Sequence, residues 1–279
     1  MQSCVRPAHA SGASGACTVL HRLLSSRASV DPGRAQRVDG SSSDGVEGSA
    51  LTQPFSHPLT HSPIPPQPEH PLHEYRLRLD GRAWSIQHRG AILSEADETR
   101  YLGEQQGLIP YGVMLWPSSI ALAHDLVARA DSLAGLRILE LGAGTGLPGI
   151  VAATLGAHVV QTDRLDKALD LCRRNCERNR VAVEHRIADW TDWHVDERYD
   201  LIIGADVLYA ERLHTFLRHI FDTNLAPAGR LLMADPFRAR SLPLLEAMEA
   251  DGWKIALSKW TVGEEQSRLP IGVYELAPP

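Results

Sequence analysis

The sequence predicts an α/β protein: a doubly wound, mostly parallel sheet of about seven strands, preceded by a hairpin-and-helix extension and a disordered tail. Three observations point there. From Arg137 onward, short apolar runs alternate with stretches of helical period, the pattern of βαβ units. The run YDLIIGAD, residues 199–206, is almost wholly apolar, as a strand covered on both faces must be. The first run, RILEL at 137–141, opens directly onto the glycine-rich GAGTGLPG.

The chain is divided into a tail, 1–72, and an ordered part, 73–279, itself an extension, 73–131, and a core, 132–279. The tail is rich in Ser, Gly, Ala, His and Pro, and QPFSHPLTHSPIPPQPEHP alone holds seven prolines. Such a segment buries too little apolar surface to offset its ordering entropy, so disorder is expected, and with it no metal site at His57 or His61. Its first thirty residues carry Arg6, Arg22 and Arg27 and no acid. That composition suits an organelle transit peptide, and equally a plain tail or a start codon placed too early. A cytoplasmic protein with a tail is expected.

Order is expected from Glu74. EYRLRLDGRAWSIQH alternates on both sides of Asp80-Gly81, a hairpin signal. SEADETRYLGEQQG reads as a short capped helix, and WPSSIALAHDLVARAD as an apolar-faced helix with Pro117 near its start. In the core, RILEL, HVVQTD, VEHRIAD, YDLIIGAD, RLLMAD and KIALSKW are strands, with helices between successive ones up to SLPLLEAMEADG except between VEHRIAD and YDLIIGAD. GVYELAP has no helix before it and is expected to return antiparallel to KIALSKW.

Composition excludes several classes. A net charge of −6 does not suit a nucleic-acid binder. No apolar run approaches the ~18 residues of a membrane span. Cys4 and Cys17 lie in the tail, while Cys172 and Cys176 are four apart in a helix. That is neither a disulfide framework nor a zinc ribbon; a reducing compartment and no metal are expected.

The glycine loop can be parsed in two ways. Gly144, Gly146 and Gly149 spell G-x-G-x-x-G, a dinucleotide fingerprint; Glu140, Gly142, Gly144 and Gly146 spell E-x-G-x-G-x-G. The dinucleotide motif needs its first glycine straight after the strand. The strand ends at Leu141, so Gly142 takes that place and the second parse fits. Glu140 agrees, because a carboxylate is unwelcome beside a pyrophosphate but suits a cation. S-adenosylmethionine, with its sulfonium and ammonium and no phosphate, is the ligand that matches. Asp163, ending the second strand, can accept from ribose hydroxyls, which both cofactors carry, or could simply cap the helix that follows. Asp189, followed by Trp190, can accept the adenine amino group while neighbouring apolar groups cover the ring; it could instead be a turn residue. Asp206 ends the fourth strand where substrate meets cofactor, and one turn could present Tyr209 beside it; Asp206 could instead cap the following helix.

Together ILELGAGTGLPGI, QTDR, ADW and ADVLY resemble the class I, seven-strand S-adenosylmethionine-dependent methyltransferases, whose sheet is Rossmann-like. GVMLWPSSIALA and D-x-x-Y at Asp206–Tyr209 resemble the methyltransferase-like protein lysine methyltransferase group. ADPFRARSLPLLEAMEADGWKI is similar to its electron-transfer flavoprotein β-subunit branch and bacterial relatives, except that Phe237 stands where that branch usually has Gly. The resemblance spans roughly residues 74–279 and implies roles. Glu140, Gly142, Gly144 and Gly146 would line the methionine part, Asp163 the ribose, and Asp189 with Trp190 the adenine. Trp116 would pack beside the cofactor, and Asp206 and Tyr209 would face the amine, with Asp235 and Arg238 on the substrate rim. The expected activity is methylation of a protein lysine by a monomer that binds neither nucleic acid nor membrane. The alternatives are a small-molecule N-methyltransferase, an inactive cofactor-binding interaction module, and a nicotinamide-dependent oxidoreductase.

Overall fold

The structure, a computed structural model, describes residues 70–101, 103, 109–263 and 268–279. The expected tail lies outside the described residues except for 70–72, and so do Cys4, Cys17, His57 and His61.

The chain enters through an antiparallel hairpin, β1 (His73–Leu79) and β2 (Arg82–His88). Asp80 and Gly81 have φ of 47° and 72°. Two successive left-handed residues make the primed turn whose twist matches the paired strands, which is why Asp-Gly signals a hairpin. Helix α1 (Glu95–Arg100) starts at Ser94, whose hydroxyl accepts from the Asp97 N–H at 3.1 Å. Helix α2 (Pro117–Val127) follows, with proline in its first turn, where a missing N–H costs nothing.

The core then alternates as expected: β3 (Arg137–Leu141), α3 (Leu147–Thr154), β4 (His158–Asp163), α4 (Asp166–Asn179), β5 (Glu184–Ile187), β6 (Tyr199–Ala205), α5 (His214–Asn224), β7 (Leu225–Asp235), α6 (Leu242–Ala250), β8 (Lys254–Val262) and β9 (Leu269–Ala277). These seven strands form one sheet in the order β5-β4-β3-β6-β7-β9-β8, parallel except for β9, which runs antiparallel to both β7 and β8. The expected antiparallel return is thus present, with β9 inserted between β7 and β8.

Alternation along the strands splits the core between the two faces. Ile138, Leu201 and Ile203 pack with Leu126, Leu147 and Ile150 on one face; Leu139, Leu141 and Ile202 pack with Leu217, Phe221 and Leu245 on the other. The hairpin is anchored to the core by α4. Asn175 and Asn179 accept from the backbone N–H groups of Gln87 and Ser85 at 2.8 and 2.9 Å, so two asparagines satisfy an otherwise open strand edge.

Strand order reverses between β3 and β6: the chain steps outward from β3 to β5, then returns to β6 on the other side of β3. At such a switch point the loops beyond the strand ends diverge and leave a crevice. The glycine loop follows β3 and Asp206 follows β6, one on each side of that switch point.

Candidate active site

The loop from β3 to α3 is built from left-handed glycines: Gly142, Gly144 and Gly146 have φ of 63°, 54° and 82°. A side chain is costly in that region. Space is closed as well. A Cβ on Gly142 would lie 3.2 Å from Val207 and 3.4 Å from the Trp190 ring, and one on Gly144 would lie 3.3 Å from the Gly112 carbonyl. The loop is therefore flanked by Trp190 after β5, Val207 after β6 and Gly112 from the extension.

Glu140 is placed differently from the expectation that its charge faces the ligand. It is buried, and its Oε2 accepts from the Gln161 side-chain amide at 2.6 Å and from the Gly149 N–H, in the first turn of α3, at 3.2 Å. Burial pushes its pKa up to about 8, against these hydrogen bonds that favour the charge. Its placement makes Glu140 a brace beneath the loop. Gln161 Nε2 also donates to the Gly146 carbonyl at 3.0 Å, tying β4 to the loop.

Asp163 reaches the loop directly. Its Oδ2 accepts from Gly144 N–H at 3.0 Å and its Oδ1 from Leu165 N–H at 2.9 Å. Burial raises its pKa, while these backbone bonds oppose the rise. Asp189 is exposed, and its Oδ1 accepts from both the N–H and the hydroxyl of Thr191 at 2.9 and 2.8 Å, which lowers its pKa. This carboxylate closes a tight turn and holds Trp190 at the loop's edge. Trp116 donates its indole N–H to the Tyr111 carbonyl at 3.2 Å and stacks on the Tyr111 ring at 5.7 Å, with Tyr101 edge-on at 5.9 Å. Tyr111 immediately precedes Gly112, so this aromatic cluster stands next to the glycine loop. Nothing in the sequence singled out Tyr111.

Across the crevice, Asp206 does not begin a helical turn. Its φ is 55°, its N–H donates to the Ala234 carbonyl of β7 at 2.9 Å, and residues 207–210 are not helical. A short 3-10 turn, Glu211–Leu213, leads into α5. The expectation that one helical turn presents Asp206 and Tyr209 together is thus corrected. Asp206 is turned inward by a left-handed backbone, whereas Tyr209 is 47% exposed.

The Asp206 side chain, 8% exposed, is paired with Arg238. Arg238 Nη2 and Nε stand 3.0 and 3.3 Å from Asp206 Oδ1, and its Nη1 donates to Glu98 Oε1, on α1, at 2.6 Å. Asp235, fully buried, fixes this corner by accepting from the Arg238 N–H at 2.7 Å and the Ser241 hydroxyl at 2.6 Å. Burial raises both carboxyls. Asp235, also pushed by the Asp206 charge, reaches about 6, while Arg238 and the nearby Ser118 hydroxyl oppose the rise at Asp206. Even so, Asp206 Oδ2 and Ser118 Oγ are buried without a well-formed hydrogen bond. Phe237 lies between Asp235 and Arg238 at φ 59°, the left-handed region that glycine favours, so a bulky side chain is held there at a backbone cost. Glu98 and Ser118 carried no signal in the sequence, because their roles depend on distant elements meeting.

Residues 97–242 match the profile of the lysine methyltransferase family. Protein N-lysine methyltransferase METTL21A of Mus musculus is 36% identical over 135 residues, 46% of this chain and 62% of the relative. Histone-arginine methyltransferase METTL23 of Xenopus laevis is 38% identical over 106 residues, 36% of this chain and 45% of the relative. The chain therefore spans about half the length of the curated relatives it matches. Among solved structures, the T. thermophilus 16S rRNA N2 G1207 methyltransferase RsmC, in complex with AdoMet and guanosine, superposes with a TM-score of 0.53 at 18% identity, covering 75% of this chain and 51% of that one. That likeness concerns the fold alone. The profile match takes in the glycine loop, Asp163, Asp206 and Arg238, and on that ground the chain belongs to the lysine methyltransferase family.

Proposed function

We propose that this chain is an S-adenosylmethionine-dependent methyltransferase acting on a lysine side chain of a protein. Family membership supports the reaction class. The observation that carries the amine acceptor is the Asp206 carboxylate at the end of β6, whose Oδ1 is paired with Arg238 while Oδ2 has only the Ser118 hydroxyl beside it.

The residues present fit the cofactor. The glycine loop leaves backbone bare at the switch point, with the Gly112 carbonyl across it, and the loop is flanked by Trp190. Asp163 would hold the ribose, Asp189 and Trp190 the adenine end, and Gly142, Gly144 and Gly146 the methionine part. Glu140 would act on the loop from beneath, and Trp116 with Tyr111 would border it. When bound, S-adenosylmethionine supplies a methyl group on a sulfonium sulfur.

The chain must present a neutral amine. A lysine of pKa ~10.4 spends about 4–5 kcal/mol losing its proton at pH 7. An unbalanced carboxylate would make that worse by stabilising the ammonium. Arg238 offsets the Asp206 charge, so Oδ2 can accept an N–H and orient the nitrogen without strongly raising its pKa. The proton leaves to water, and alignment of nitrogen with the methyl supplies much of the acceleration. Tyr209, exposed on the same segment, would contact the acceptor.

The net charge of −6 favours a protein acceptor over nucleic acid, and free Cys172 and Cys176 favour a reducing, cytoplasmic setting. Among the described residues no helix is long and apolar enough to cross a membrane. We read the working unit as a monomer.

The test incubates the protein with methyl-labelled S-adenosylmethionine and a proteome extract. Label retained in protein and recovered as methyllysine after hydrolysis supports the proposal. Label in methylarginine, or only in small molecules, replaces the acceptor.

A further inference from the structure

We propose that Cys172, Cys176 and His185 form a binding site for a thiophilic cation, zinc being the probe of choice. The proposal does not depend on the methyl-transfer reading. Two cysteines four apart on α4 share one helix face. His185 is the element the spacing could not supply. In the parallel pairing of β4 with β5, His185 is the register partner of Gln161, so both side chains point to the sheet face that α4 covers.

The three ligand atoms lie within 4.8 Å of one another. Cys176 Sγ and His185 Nε2 are 3.6 Å apart. With Zn–S of about 2.3 Å and Zn–N of about 2.0–2.1 Å, neighbouring vertices of a tetrahedron stand about 3.5–3.8 Å apart. Gln161 Oε1 accepts from the Cys172 and Cys176 thiols at 3.0 and 3.4 Å, and would be a fourth donor once a cation displaces the thiol protons. The other end of that amide is fixed by Glu140 and by the Gly146 carbonyl, so the oxygen is aimed at the sulfurs, as outer-shell partners aim metal ligands. Two thiols and an imidazole select zinc or copper(I) over hard cations. Both cysteines are buried and His185 is half-buried on the edge strand, which leaves an entry path beside the ring.

The experiment uses the full chain, reduced and stripped of metal, with Cys4→Ser and Cys17→Ser so that only this pair can respond. Cobalt(II) is added, followed by zinc. The expected result is one equivalent bound with a thiolate-to-cobalt charge-transfer band, bleached by equimolar zinc, and a zinc-dependent rise in Tm. Cys176→Ser should remove most of the band. His185→Asn, at the less buried position, should keep thiolate character but weaken cobalt affinity by more than the ~10–100-fold typical of outer-shell changes. A folded parent that shows no thiolate band and no zinc-dependent Tm shift overturns the proposal, as does a band unchanged in Cys176→Ser. Methyl transfer is not read at any point, so failure here leaves the activity proposal standing, and the reverse holds too.

Discussion

Arg238 holds Asp206 from the neighbouring strand end, with Nη2 3.0 Å from Oδ1, and the same guanidinium reaches Glu98 in the N-terminal extension. One side chain thus joins the ends of β6 and β7 to α1. Removing it strands a carboxylate that is 8% exposed. Arg238→Met is expected to lower stability by roughly 1–3 kcal/mol, the cost of leaving a buried polar group unpaired. It should also suppress turnover. Arg238→Lys keeps the charge but loses the two-pronged contact and should fall between the two. Denaturant midpoints and initial rates decide; a variant as stable and active as the parent removes the pair from the account.

Glu140 separates charge from hydrogen bonding. Its Oε2 serves the Gln161 amide and the Gly149 N–H, and both donors can be met by a neutral amide oxygen. Glu140→Gln should therefore fold normally and bind the methyl donor within about tenfold of the parent, a change of ~1.4 kcal/mol. Glu140→Ala orphans both donors and should cost roughly 1–3 kcal/mol of stability. If Gln behaves like Ala, the negative charge itself is required.

Gly144 has φ of 54° and faces the Gly112 carbonyl, where an added Cβ would lie 3.3 Å away. Gly144→Ala should cost about 1–2 kcal/mol in backbone strain. It should also weaken donor binding at least tenfold, a loss of ~1.4 kcal/mol, by pushing the loop off Gly112. Unchanged affinity by calorimetry would show that the loop does not form the donor site.

Asp235 makes stability depend on pH in a defined direction. Its pKa is raised to about 6 in the fold, against about 3.9 when unfolded. Below about pH 4 both states are protonated and its contribution is fully present; as pH rises to about 6, the unfolded state ionises first and stability is lost. Over that window the parent should lose about 2–3 kcal/mol relative to Asp235→Asn. The asparagine can retain both contacts, accepting from the Arg238 N–H and donating to Ser241. Urea titrations of both proteins across the window measure the difference; parallel pH curves contradict it.

The sheet was legible because its signals are local. Strands covered on both faces are apolar along most of their length, as in residues 199–206, and Asp80-Gly81 dictates a left-handed turn by its own chemistry. The glycine loop was legible for the same reason. Side-chain direction was not. Glu140 is adjacent to the loop in sequence, yet its carboxylate points back into α3, because Gly149 and Gln161 offer donors there. The spacing of Asp206 and Tyr209 suggested a helical turn, but the bond from the Asp206 N–H to Ala234 of β7 turns the chain the other way. Glu98, Ser118 and His185 gain their roles only from the register and packing of elements far apart in the chain.

The β3–β6 switch point is expected to take a positively charged, phosphate-free methyl donor. Isothermal titration of the full chain with S-adenosylmethionine and, separately, with NADH tests it most directly. Saturable one-to-one heat from the first, weakened in Gly144→Ala, and none from the second is the predicted result. Saturable heat from NADH with none from S-adenosylmethionine would contradict it.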